Sequence, residues 1–319
     1  MLDLLGVAST VRAARYIAIA LLACGPGALV GAHCASAATV AAQASAGCRA
    51  KSVERGRELH RTIDVGGVQR SYILDVPERV QPHAPVPLLF DFHGFGHSAA
   101  GLWRVSKFHE LAARHGFITV YPDGLPVHLL GRDAPGWEIF STAGNRDLAF
   151  TATLLDRLES EYCINEARVF ATGFSNGAFF THLLGCTMAD RFAAIAPVSG
   201  GLITTPCVPA RGVPVLIHHG RHDALIEVQQ GRKARDAWIE KDQCHQPSET
   251  PREGMRTPGE RPVSNSCEWY PHCRDGGEVD YCEDDGEHRW PAEATERIWN
   301  FFRDHPMPKR GDPGAPAPR

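Results

Sequence analysis

The stretch Arg168-Val169-Phe170-Ala171-Thr172-Gly173-Phe174-Ser175-Asn176-Gly177-Ala178 joins two different patterns within eleven residues. After Arg168, residues 169–174 are β-branched, aromatic or small, which predicts a buried strand over 168–174. Residues 176–188 then read as a helix. Between them Gly173-Phe174-Ser175-Asn176-Gly177 matches G-x-S-x-G. The string alone is a weak signal, but a strand before it and a helix after it put Ser175 on a sharp turn that lifts its hydroxyl above the sheet edge. Glycines on either side let backbones pass closely, and the helix amino terminus aims free N–H groups at developing negative charge. Ser175 is therefore a nucleophile candidate. The competing reading is a glycine-rich connector with an incidental serine.

Working outward, short β-rich runs alternate with longer helical patterns, the signature of an α/β fold with a mostly parallel central sheet and helices on both faces. Residues 57–65 and 69–76, joined by Gly66-Gly67, read as an opening hairpin. Residues 87–93 and 117–121 read as buried strands with one helix, 101–115, between them. Helices are expected over 147–158, 228–239 and 292–302, and strands over 193–198, 213–219 and 278–282. Pro247, Pro251, Pro258 and Pro262 predict an irregular loop. The economical division is one domain, 57–304, after a linker at 38–56 and before a proline-rich disordered tail at 305–319.

The chain has 319 residues, 43% hydrophobic and 22% charged, with a formal charge of −4. That supports a sizeable core and argues against phosphate-driven nucleic-acid binding. Arg12 and Arg15, an apolar run over 16–23, Gly-Pro-Gly at 25–27 and Ala35-Ser36-Ala37 read as a secretory signal cleaved near residue 37. The run is too short for a membrane span, which needs about 20 apolar residues. A lipoprotein anchored at Cys24 is the lesser alternative. Cleavage would leave eight of the ten cysteines in an oxidising compartment, an even number that suits disulfides.

A serine hydroxyl needs a base, and the base needs an orienting carboxylate. In a strand-turn-helix architecture the expected chain order is serine, acid, histidine. Asp223 follows the strand 213–219 and fits the acid slot, with Glu227 as the alternative acid. His288 lies six residues after Cys282, on the loop between the last strand and the last helix, and fits the base slot. His245, His272 and His305 also follow Asp223, but they flank the irregular loop or sit in the tail. His93 precedes the serine and is read as structural. Oxyanion donors are expected from the backbone amides of Asn176 and Phe95, the latter in Phe92-His93-Gly94-Phe95-Gly96.

With these residues in place the chain resembles a known group. The strand ending in His93-Gly94, Tyr162-Cys163-Ile164, the stretch 168–178, Asp190-Arg191-Phe192-Ala193-Ala194-Ile195-Ala196-Pro197-Val198 and His288-Arg289-Trp290-Pro291 look like the secreted esterases of the polyhydroxybutyrate depolymerase and feruloyl esterase group. These are α/β-hydrolases related to family-one carbohydrate esterases, and the likeness covers about residues 57–303. It implies a Ser175-Asp223-His288 triad, an acyl-enzyme route and no cofactor. The implied substrate is a plant cell-wall polysaccharide ester or a polyester. Departures are Phe95 where many relatives have cysteine, Glu287 where they have glycine, and an acid loop without their Val-Pro-Tyr.

Three further readings complete the sequence-based picture. Trp137 and Trp290 are candidates to stack on a sugar or aromatic ring, against the commoner role of core tryptophan. Cys244, Cys267, Cys273 and Cys282 with His245 and His272 lack paired C-x-x-C spacing, so disulfides are preferred to zinc. Bridges of Cys267 with Cys273 and Cys244 with Cys282 are expected. Alternatives to hydrolysis are an acyltransferase, or an inactive carbohydrate- or wall-binding protein of the same fold.

Overall fold

The computed structural model describes residues 43–245 and 266–308. The signal expected at 1–37, Cys24, and the prolines at 247, 251, 258 and 262 lie outside these residues. Among the described residues no helix is long and apolar enough to cross a membrane.

A nine-stranded sheet organises the chain. Its strands are β1 (Gly56–Val65), β2 (Val68–Val76), β3 (Val86–Phe92), β4 (Ile118–Pro122), β7 (Ile164–Phe174), β8 (Ala194–Val198), β9 (Pro214–Gly220), β10 (Ser266–Tyr270) and β11 (Glu278–Asp284). They lie in the order β1-β2-β4-β3-β7-β8-β9-β11-β10. The six strands from β4 to β11 run parallel, while β1, β2 and β10 pair antiparallel at the edges. A separate hairpin, β5 (Pro126–Leu129) with β6 (Arg132–Pro135), follows β4.

Helices cover both faces because the central strands are apolar on both. α3 (Arg146–Glu161), α4 (Asn176–Thr187) and α5 (Val228–Lys241) pack with Leu88, Phe90 and Phe92 on one side. α1 (Ala99–Ser106), α2 (Phe108–His115) and α6 (Ala294–Asp304) pack with Leu89, Phe170 and Leu216 on the other. Successive residues of β3 thus feed opposite layers, as the two-residue strand period requires. Full burial of each such Leu or Phe contributes roughly 1.5–3 kcal/mol.

From β3 the chain steps outward to β4 and then returns to the other side of β3 as β7. That reversal makes a topological switch point at the carboxyl ends of β3 and β7, the place where open α/β sheets bind ligands. Ser175 follows β7 directly, and Gly94-Phe95 follow β3 within three residues.

Several expectations need correction. The helix expected at 101–115 is two helices, because Lys107 adopts a left-handed conformation (φ 56°) and Thr295 Oγ1 takes the Ser106 carbonyl at 2.6 Å. β10 and the β5–β6 hairpin are additional to the expected elements. The packed unit starts before residue 57: Ser45 Oγ donates to the Tyr162 carbonyl at 2.8 Å and Cys48 is bridged to Cys163. It also runs past 304, since His305 and Met307 are buried and the Met307 amide donates to the Ala167 carbonyl at 2.7 Å.

The disulfides are Cys48–Cys163, Cys186–Cys207, Cys244–Cys273 and Cys267–Cys282. The expected pairs, Cys267–Cys273 and Cys244–Cys282, are therefore exchanged. The reason is register: Cys267 on β10 lies directly across from Cys282 on β11. All four cysteines of the zinc alternative are consumed in these bridges.

Candidate active site

Ser175 caps α4 with φ 56° and ψ −118°, a conformation side-chain-bearing residues rarely adopt. Such a residue costs roughly 1–3 kcal/mol and persists only where its surroundings over-determine it. Here they do. The Ser175 amide donates to the Val198 carbonyl at 3.0 Å, and its own carbonyl accepts from Ala178 and Phe179 at 2.8 and 3.1 Å. A Cβ on Gly177 would lie 2.0 Å from the Phe92 carbonyl oxygen, and one on Gly173 would lie 2.6 Å from the Gly177 oxygen. The glycines flanking Phe174-Ser175-Asn176 are thus demanded by backbone contact between the turn and its neighbours.

Ser175 Oγ, His288 and Asp223 form one line. Asp223 Oδ2 accepts from His288 Nδ1 at 2.6 Å, which fixes the ring proton on Nδ1 and leaves Nε2 to accept from Ser175 Oγ at 2.9 Å. The Asp223 side chain is wholly buried and that of His288 is 13% exposed. Asp223 Oδ1 accepts the Leu225 and Ile226 amides at 3.0 and 2.8 Å, so the acid is held by its own loop. The acid and histidine loops are tied together, with the Arg221 amide on the Asp284 carbonyl and the His222 amide on that of Gly286. Asp223 rather than Glu227 meets the histidine.

The remaining expected residues divide. Asn176 opens α4, so its amide has no carbonyl one turn earlier to bond. Its side chain locks the neighbouring loop, accepting from the Trp137 amide at 2.7 Å and donating to the Trp137 carbonyl at 3.3 Å. Phe95 sits half-buried beyond Gly94, whose Cβ position would lie 3.2 Å from Ser175 Cβ. His93 is structural: Nδ1 donates to the Gly94 carbonyl, Nε2 accepts the Gly124 amide, and burial lowers its pKa.

Neither tryptophan is a binding platform. Trp137 is 0% exposed, wedged edge-on to Phe92 and stacked on Phe180, with Nε1 donating to the His93 carbonyl. Trp290 is buried against Phe108, and its Nε1 donates to Thr295 Oγ1. Both brace the loops that carry the oxyanion and base candidates.

Two features escape sequence reasoning. His219 reaches the acid from behind, with Nε2 3.5 Å from Asp223 Oδ2, and only its place four residues earlier could have hinted at this. The second is the β5–β6 hairpin, which lies against the oxyanion loop through a Gly96 amide bond to the Pro135 carbonyl. Metal-ligand chemistry among the described residues gathers at His218, Asp284 and Glu293, whose donor atoms lie within 4.8 Å of one another. That cluster already holds a cation, since Arg297 Nη1 lies 3.4 Å from His218 Nε2.

The chain is similar to known proteins in sequence and in fold. The family model described as phospholipase/carboxylesterase matches residues 74–255. A bifunctional acetylxylan esterase/xylanase of Neocallimastix patriciarum is 28% identical over 78% of the chain, which spans only 36% of that relative. Feruloyl esterase D of Neurospora crassa is 26% identical over 83% of the chain and 92% of its own length. Among solved structures, an acetyl xylan esterase from Aspergillus awamori aligns with a TM-score of 0.58 at 17% identity, over 76% of this chain and 99% of that one. With more than half its length matched and the fold shared, the chain belongs to the phospholipase/carboxylesterase family of α/β-hydrolases.

Proposed function

We propose that the protein is a secreted serine esterase acting on an ester of a plant cell-wall polysaccharide. The observation that carries this is the continuous Ser175–His288–Asp223 hydrogen-bond line at 2.9 and 2.6 Å. In this reading Ser175 Oγ attacks the ester carbonyl while His288 Nε2 takes its proton. The tetrahedral oxyanion receives the Asn176 and Phe95 amides, each such donor being worth roughly 10²- to 10³-fold in rate. His288 returns the proton to the leaving alcohol, and water, activated by the same nitrogen, then releases the acid. Asp223 keeps the ring proton on Nδ1 and balances the imidazolium.

The polysaccharide substrate rests on the names of relatives, which include feruloyl and acetylxylan esterases. A polyester is the second reading, favoured by the exposed Leu130, Phe140 and Leu225 on loops after β4 and β9, at the same end of the sheet as Ser175. Export is supported by the pairing of all eight described cysteines.

The deciding experiment presents feruloylated arabinoxylan, acetylxylan and polyhydroxybutyrate side by side and identifies the acid released. Ferulate or acetate supports the reading, and hydroxybutyrate alone replaces it with the polyester. Ser175→Ala should abolish release and labelling by a fluorophosphonate probe. Labelling that persists in this variant would place the nucleophile elsewhere.

A further inference from the structure

The β5–β6 hairpin has two unlike faces. Side chains alternate along a strand, so Asp133 and its register partner His128 share the outer face, where they bond each other at 2.9 Å. Arg132 and Ala134, with partners Leu129 and Val127, share the inner face. Ala134 is buried and Leu129 packs against the core, so this face is turned toward the body of the protein.

Arg132 is the cation on that inner face. Its guanidinium carbon lies 4.7 Å from the centre of the Phe95 ring, and a Cβ on Gly96 would lie 3.1 Å from its Nη2. The guanidinium therefore rests on Phe95-Gly96, next to the amide assigned to the oxyanion. A Cβ on Gly136 would meet Val127, Asn176 Oδ1 and Phe95 Cδ2 within 3.1 Å, so hairpin, oxyanion loop and the start of α4 converge there.

What Arg132 lacks is an anion. Among the described residues it makes no ion pair and no side-chain hydrogen bond. Its chain neighbour Asp133 is engaged by His128, and Glu138 by Arg146. Arg132 nonetheless remains exposed while held on the aromatic ring beside the oxyanion loop. An aromatic face orients a guanidinium without neutralising it.

We propose that Arg132 is a specificity residue for esters that carry a carboxylate near the scissile bond. This rests on the reading of Ser175 as an esterase nucleophile. The guanidinium fork pairs with the substrate carboxylate in a bidentate fashion, placing the ester carbonyl between Ser175 and the oxyanion amides. An acidic sugar ester and a free-acid end of an ester oligomer share this chemistry.

The test measures kcat/KM for two matched pairs of esters. Mono-4-nitrophenyl glutarate against 4-nitrophenyl pentanoate places the charge on the acyl side. 3-Carboxyphenyl acetate against phenyl acetate places it on the alcohol side. In one pair the wild type should favour the anionic ester, with a ratio that falls as salt is raised. Arg132→Gln should lower that ratio roughly tenfold, the scale of one partly screened charge pair, and Arg132→Lys should retain part of it. Ratios that do not change in Arg132→Gln for either pair overturn the proposal. Turnover of the neutral esters, lost in Ser175→Ala, reports on the esterase reading separately. Inertness toward all four esters would remove that reading and this one with it.

Discussion

His219 Nε2 stands 3.5 Å from Asp223 Oδ2, the same oxygen that receives His288. The nearer partner of Nε2 is the Ile226 carbonyl at 2.7 Å, and since a carbonyl only accepts, the proton of His219 sits on Nε2. Burial lowers the His219 pKa, so the ring is a neutral donor at physiological pH. That single N–H is engaged by Ile226, so His219 pins the loop that carries the wholly buried carboxylate, whose own donors are two backbone amides on Oδ1 and His288 on Oδ2. His219→Gln keeps an N–H near the Nε2 position, whereas His219→Phe keeps volume and removes the donor. The Phe variant should lose kcat by roughly tenfold, the scale of one hydrogen bond that holds the acid loop, with KM little changed. The Gln variant should recover most of it. Equal losses in both, compared with melting curves, would reduce His219 to a packing role.

The Cys48–Cys163 bridge closes the longest loop, with a sequence separation of 115. It lies just before β7 begins, whereas Ser175 follows the end of that eleven-residue strand. Stability and catalysis should therefore separate. Replacing both cysteines by serine releases chain entropy in the unfolded state, a loss of about 4 to 5 kcal/mol on the loop-closure account. The expected outcome is a fall in Tm on the order of 10 °C, with kcat preserved at temperatures well below it. A drop in kcat under those conditions would show that the amino-terminal staple controls the site.

Why the candidate triad is legible in the sequence and the bridges are not follows from what each depends on. Ser175, Asp223 and His288 each follow a parallel strand, so chain order alone assigns them once strands are found. Hydrophobic runs such as 213–219 reveal such strands directly. The pairing of Cys267 with Cys282 depends on β10, which begins four residues after Pro262, at an edge where periodicity is short and weak. Trp137 and Trp290 fail for a different reason. A tryptophan beside a functional loop reads the same whether its ring faces substrate or braces the loop from within. The inward orientation of Arg132 is set by hairpin register, which four-residue strands do not advertise.

Glu283 should give the acid side of the stability profile. Arg232 clasps both its oxygens at 2.7 and 3.0 Å, and Arg221 and the Tyr281 hydroxyl add further donors. The Arg232 hydrogen bonds lead in lowering its pKa from 4.5 to about 2. A depressed carboxyl contributes stability that is full above the unfolded value and is lost as pH falls through the folded one. Wild-type Tm should therefore drop between about pH 4.5 and 2, and Glu283→Gln should flatten that step while lowering Tm at neutral pH. Melting curves across this range decide it. An unchanged acid step in Glu283→Gln would assign acid lability to other groups.

Asp91 should shape the other limb, with the opposite sign. It lies on β3, 0% exposed, and neither carboxyl oxygen has a hydrogen-bond partner among the described residues. Burial pushes its pKa up from 3.8 to about 8. The unfolded chain gives up this proton near pH 4 while the folded chain keeps it, so folding is favoured most below pH 4. That contribution is lost progressively as pH rises to about 8, beyond which both states are ionised and the slope ends. Asp91→Asn keeps the shape and removes the titration. Its stability relative to wild type should rise between pH 4 and 8, by a few kcal/mol at the upper end. The gain is a difference between two denaturation curves at each pH, so shifts common to both chains cancel. A constant difference across that range would mean that Asp91 is ionised in the folded protein and that a neighbouring donor compensates it.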